Sequence, residues 1–203
     1  MKRTCQGEGQ ASFPIFFLFS FFLIWTLGAA LFPSESAGQK SDRDGLSRFD
    51  RLAEEASRLN QRAKYDEVIS LLEPHQAEKK NDSVLFFNEL AVAYRNRDRL
   101  DDAIRAYQKA LALDPENPVV MKNLADAFYL KKEYSRTVEM AQKAIRSNPR
   151  FHQAHFTLGM AYYRLDRYRE ALDEFDEVLR LNPQDEKARN SIEAVRKKLQ
   201  EKK

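Results

Sequence analysis

Three helical-looking runs in this chain end in the same way at the same interval. "DDAIRAYQKALALDP" stops at Asp114-Pro115, "TVEMAQKAIRSNP" at Asn148-Pro149 and "ALDEFDEVLRLNP" at Asn182-Pro183, thirty-four residues apart each time. Proline pushes the residue before it out of helical geometry and cannot donate to the hydrogen-bond ladder, so each pair closes a helix. A fixed interval of this length marks an internal repeat, and a repeat constrains the fold more tightly than composition does.

Each repeat contains two apolar stripes. In residues 84–117, Phe87, Leu90, Ala91 and Tyr94 fall at i, i+3, i+4 and i+7 on one helix face. The polar stretch "RNRDR" interrupts, and Leu100, Ala103, Ile104, Tyr107, Ala110 and Leu111 form the second stripe. Two helices joined by so short a break lie antiparallel, and neither stripe is covered by its partner alone. Residues 118–151 repeat the arrangement with Met121, Leu124, Ala125 and Phe128, then Tyr134, Thr137, Val138, Ala141, Ala144 and Ile145. Residues 152–185 do so with His155, Leu158, Gly159 and Tyr162, then Tyr168, Ala171, Leu172, Phe175, Val178 and Leu179. Small residues recur where helices must cross closely, at Ala91, Ala125 and Gly159 and at Ala103 and Ala171. Residues 48–83 read as a decayed copy, with Phe49, Leu52, Ala56 and Leu59 followed by Tyr65, Val68, Ile69 and Leu72, cut short by Pro74. Residues 186–203 read as one charged helix suited to closing the stack.

The stretch "HFTLGMAYYRLDRYREALDEFDEVLRLNP" resembles the tetratricopeptide repeat pattern W-x2-L-G-x2-Y…A-x3-F…P, with only the tryptophan replaced, by His155. Residues 84–117 keep the pattern with Phe87 for Trp, Ala91 for Gly and Tyr107 for Phe. Residues 118–151 follow it more loosely, with Met121, Ala125, Phe128, Thr137 and Ala141 at the five departures. The resemblance implies an all-α fold, a right-handed solenoid of stacked antiparallel helical hairpins. It also implies a concave groove lined by the first helix of each hairpin. The lining residues expected there are Leu85, Asn88, Val92 and Arg95; Val119, Lys122, Asp126 and Tyr129; and Gln153, Phe156, Met160 and Tyr163. Apolar and aromatic side chains mixed with polar ones suit an extended peptide or a helix of a protein partner. One subset of the family grips the acidic C-terminal end of chaperones through a clamp of Lys, Asn and Arg. Here Asn123 fits that clamp, but Val92, Gln153 and Thr157 stand where its polar or basic members belong, so that function is not expected.

The N-terminus is of another kind. After Lys2 and Arg3, no charged residue lies between Glu8 and Glu35, and the intervening run is rich in Phe and Leu. Residues 1–33 therefore read either as an export signal, with Ala30 a plausible cleavage edge, or as an uncleaved membrane anchor, which needs ~20 apolar residues. Both readings keep the basic end in the cytoplasm and carry the repeats across the membrane, into the periplasm in a Gram-negative cell. Residues 34–47, small and polar, read as a flexible linker.

Composition removes most other classes. The only cysteine is Cys5, and Gly45 and Gly159 are the only glycines beyond residue 40, so no phosphate-cradling loop or thiolate site is available to the repeats. Thirty-four basic residues against 31 acidic give +3 overall, not the one-sided excess of a nucleic-acid binder. His152 and His155 have ligand-like spacing, but His155 stands in a packing position, so the two point apart and no metal is expected. Pairs such as Asp173 and Glu177 are accounted for by solvation and helix ion pairs. The basic tail "RKKLQEKK" suits a helix C-terminus better than a lipid surface. The expectation is a non-enzymatic scaffold without cofactors that binds a protein partner at the cell envelope. The alternative is a self-associating structural subunit, a homo-oligomer in which the groove is incidental.

Overall fold

The structure, a computed structural model, describes residues 46–201. The expected signal or anchor (1–33) and the linker as far as residue 45 lie outside the described residues. The described residues contain helices and no strands: α1 (Arg48–Gln61), α2 (Tyr65–Leu72), α3 (Val84–Asn96), α4 (Leu100–Leu113), α5 (Pro118–Leu130), α6 (Tyr134–Ser147), α7 (His152–Arg164), α8 (Tyr168–Leu181) and α9 (Glu186–Glu201). A 3-10 turn, Glu73–His75, follows α2, where Pro74 interrupts the ladder. Among the described residues no helix is long and apolar enough to cross a membrane.

The repeat is written into the backbone at both kinds of turn. Within hairpins, Ala63, Asp98, Lys132 and Asp166 adopt the left-handed region, with φ of 56°, 59°, 62° and 59°. In each case the next amide donates back five residues: Lys64 to the Leu59 carbonyl, Arg99 to Tyr94, Glu133 to Phe128 and Arg167 to Tyr162. That pattern satisfies carbonyls that a helix end leaves open. Between hairpins, Asp114, Asn148 and Asn182 are the C-caps of α4, α6 and α8, extended because proline follows. Side chains cap the starts of the odd helices other than α7, whose N-cap Phe151 makes no such bond. Ser83 accepts from the Phe86 amide, Asn117 from Val120, and Asp185 from Ala188. Ser47, read from sequence as the last linker residue, instead forms a capping box with Asp50 at the start of α1.

Helices α3, α5 and α7 each pack on their own hairpin partner and on the even helix of the hairpin before, and α3 packs on α1 as well. The sequence stripes show the first contact. Off those stripes, Phe86, Val120 and Ala154 and Ala93, Ala127 and Ala161 are buried too, and the Phe86 ring packs edge-on against Phe49 of α1. Where α7 meets α8, Gly159 sits under Phe175: a Cβ there would lie 2.8 Å from Phe175 Cε1. His155 is buried in the tryptophan position, with Nδ1 2.7 Å from Glu174 Oε2 and Nε2 3.1 Å from the Pro149 carbonyl. Both partners are acceptors, so the geometry favours the imidazole with both ring nitrogens protonated. The Glu174 hydrogen bond raises the His155 pKa against the opposing effect of burial. Arginines cap the aromatic stack: Arg99 covers Tyr94 and Arg167 covers Tyr162. In the middle hairpin Glu133 takes the equivalent place, and Arg136 covers Phe128 instead.

Candidate functional site

Because the odd helices bury two faces, a third face of α3, α5 and α7 remains for other work. Its centre is a hollow of about 330 Å³ lined by Lys122, Asp126 and Tyr129 of α5, His152, Gln153, Phe156, Thr157 and Met160 of α7, and Asp185 and Lys187 at the start of α9. The Phe156 ring lies 5.5 Å from the buried Phe175 ring, so the floor of the hollow rests on the core. Tyr129 packs edge-on against Tyr134, and burial pushes its hydroxyl pKa up. A second hollow of about 230 Å³ continues past Met160 to Tyr163, Phe175 and the α9 residues Asn190, Ser191 and Ala194.

Asp126 ties three helices together at the edge of the first hollow. Its Oδ2 accepts from Arg95 Nη1 of α3 at 3.3 Å and lies 3.0 Å from Lys122 Nζ one turn back on α5. Its Oδ1 accepts from the Thr157 hydroxyl of α7 at 2.8 Å. Further toward the N-terminus a second polar chain crosses the odd helices. Asn60 of α1 donates to Glu89 Oε2 at 2.7 Å, Asn88 donates to Glu89 Oε1 at 3.3 Å, and Asn123 donates to Asn88 Oδ1 at 3.0 Å.

The twelve residues expected to line the groove divide accordingly. Lys122, Asp126, Tyr129, Gln153, Phe156 and Met160 surround the main hollow; Arg95 adjoins it through Asp126, and Tyr163 lines the second hollow. Leu85 and Val119 are exposed, at 40% and 49%, at the starts of α3 and α5 and line neither hollow. Val92 packs partly on the core. Asn88 requires a correction: it is only 9% exposed and its carbonyl is engaged by Asn123, so it knits α3 to α5 and presents nothing to a partner. Sequence reasoning did not place His152, Thr157, Asp185 or Lys187 in the lining. The first two flank Gln153 and Phe156 by one residue. Asp185 ends the repeat read over 152–185, and Lys187 belongs to a helix read only as a closing element, whose start lines the same hollow. Among the described residues no cluster of His, Cys, Asp and Glu is placed to hold a metal. His152 lines the hollow while His155 faces α8.

Comparison with known proteins agrees with the fold. The tetratricopeptide repeat family matches residues 84–117 and again residues 152–185. Among solved structures, the chain is similar to the first TPR domain of human RPAP3, with 28% identity over 59% of this chain and 94% of that one and a TM-score of 0.58. It is similarly like the first TPR of Spaghetti (RPAP3) bound to the HSP90 peptide SRMEEVD, with 28% identity over 57% of this chain and 92% of that one and a TM-score of 0.56. MamA from MSR-1, at 23% identity over 75% of this chain and 87% of that one, shares the fold with a TM-score of 0.64. No curated protein matches the chain.

Proposed function

The chain is a tetratricopeptide repeat protein, and from that premise we propose that it is a non-enzymatic adaptor whose groove along α5, α7 and the start of α9 holds an extended peptide or helix of a partner protein. The observation that carries this reading is the main hollow itself. Three large side chains, Tyr129, Phe156 and Met160, form an apolar centre backed by the core, with polar groups around it. Such a seat anchors one or two partner side chains while the rim sets their register. The RPAP3 domain bound to an HSP90 peptide supports the use of such a surface for peptide capture. The specificity for chaperone tails is not carried over, because Val92, Gln153 and Thr157 occupy clamp positions and Thr157 is engaged with Asp126.

Residues 48–83 then serve as a fourth, decayed hairpin and residues 186–203 as the closing helix. The apolar run in residues 1–33 supports export or anchoring, with the repeats on the non-cytoplasmic side assembling or stabilising an envelope complex. Two experiments test these statements. A photo-crosslinking side chain placed at Gln153 in living cells should give discrete protein adducts that Phe156→Ala removes without loss of helicity. Equal adducts from the outer position Arg105, unaffected by Phe156→Ala, would count against the groove. Mass spectrometry of the N-terminus from fractionated cells tests the location: a start near Leu31 means a cleaved signal, and an intact apolar run in the membrane fraction means a tether. An intact chain in the cytosol contradicts both.

A further inference from the structure

Resting on the groove reading above, we infer that Asp126 is a built-in anion that sets the class of partner: the groove takes an uncharged, apolar segment and turns acidic segments away. Arg95 and Lys122 are the two cations on the inner faces of α3 and α5 that could receive an acidic side chain. Both are already directed at one carboxylate, at 3.3 Å and 3.0 Å from the same Asp126 oxygen. The other Asp126 oxygen is fixed by Thr157, so the carboxylate is held by three helices and cannot swing aside without breaking all three contacts. The side chains of Arg95, Lys122 and Asp126 are 20%, 22% and 26% exposed, shielded enough for their fields to be felt by an occupant and open enough to touch it.

Charge around the main hollow is balanced, with Lys122 and Lys187 against Asp126 and Asp185. Asp185 is further occupied as the cap of α9, where its Oδ1 accepts from the Ala188 amide at 3.0 Å. A partner carboxylate entering beside Asp126 would meet a like charge at contact distance, and a partner cation would have to displace Lys122 or Arg95. An uncharged segment incurs neither cost. Its bulky side chain is met by Phe156 and Met160, and its backbone can be met by the Gln153 amide. Discrimination therefore comes from repulsion as much as from attraction.

A random library of 12-residue peptides displayed on phage, selected against the immobilised full chain in mild detergent, tests this. Wild type should enrich near-neutral sequences with aromatic or aliphatic centres. Asp126→Asn keeps an acceptor for Thr157 while freeing Arg95 and Lys122. It should enrich acidic sequences, and synthetic peptides from that pool should bind it at least tenfold more tightly than wild type. The double variant Arg95→Gln/Lys122→Gln leaves Asp126 without its cations and should move the pool toward basic sequences. It decides the matter if Asp126→Asn loses helicity. Acidic peptides enriched on wild type, or pools of the same charge on all three proteins, overturn the inference. If wild-type peptides bind Phe156→Ala undiminished, the groove reading itself fails. If they lose affinity for Phe156→Ala while pool charge ignores Asp126, only the present inference fails. No enrichment on any of the proteins overturns both.

Discussion

Replacing Gly159 with alanine tests the packing logic by its sign. In an ordinary helix interior the change stabilises by ~1 kcal/mol, because glycine surrenders more backbone entropy on folding. Here the added Cβ would lie 2.8 Å, 3.0 Å and 3.1 Å from three atoms of the Phe175 ring. Carbon atoms prefer separations of ~3.5–4.0 Å. Phe175 is fully buried and has the Phe156 ring 5.5 Å away, so it has little room to retreat. Overpacking of this kind costs about 2–3 kcal/mol, which leaves a net loss of about 1–2 kcal/mol after the helix gain. Thermal unfolding of the full chain in mild detergent, followed by circular dichroism, should show a fall of roughly 2–8 °C at about 2–4 °C per kcal/mol. Adding Phe175→Leu should harm Gly159→Ala less than it harms wild type, since the smaller side chain relieves the overlap. A rise in Tm for Gly159→Ala alone would show that Phe175 moves freely, and the reasoning would be wrong.

Three further outcomes follow from single residues. The Tyr107 hydroxyl is buried and makes no hydrogen bond among the described residues, so Tyr107→Phe should stabilise by about 1 kcal/mol in urea titrations. His155 has its pKa raised by Glu174, so its contribution is full below the unfolded value, ~6.5, and is lost as pH rises through the folded value. The Tm difference between wild type and His155→Phe should therefore shrink from pH 5.5 to pH 8.5, and a constant difference refutes the ion pair. Lys132 holds φ at 62°; Lys132→Gly should raise stability by about 0.5–1 kcal/mol net of the entropy of the unfolded chain, and by more than Asp98→Gly, because Asp tolerates this region better.

The hairpins were legible because two signals coincide at each boundary: an apolar stripe of helical period ending in a residue-proline pair. The second buried face of the odd helices was not, because its residues include alanines whose burial depends on a neighbouring hairpin and not on local periodicity. Ala93, Ala127 and Ala161 recur at the repeat interval, which is the signal that could have exposed them. Asn88 misled for a related reason. Its position points to the inner face, and a polar side chain there looks available, yet Asn123 lies opposite and the pair closes on itself. A sequence shows which face a residue occupies but not whether its partner across the face has already engaged it. The start of α9 was missed because Asp185 and Lys187 lie off its packing stripe of Ala188, Ile192, Val195 and Leu199, where local periodicity carries no sign of a shared wall.

The two halves of the inner face consequently do different work. In the N-terminal half, Asn60, Glu89, Asn88 and Asn123 engage one another across α1, α3 and α5, and Asn88 and Glu89 are buried in doing so. Groups already hydrogen-bonded and desolvated offer a partner little new energy, whereas breaking such a network is costly. In the C-terminal half the equivalent positions carry Lys122 and Phe156 in place of Asn88, and Asp126 and Met160 in place of Val92. There the large side chains surround open space. Copies that repeat their packing residues while diverging so sharply at one face are not merely decorating a solvated surface, for which small polar residues would serve in every copy. On the reading proposed above, the seat for a partner is therefore short and lies toward the C-terminal end. It needs α9 to complete it, since Asp185 and Lys187 form part of its wall.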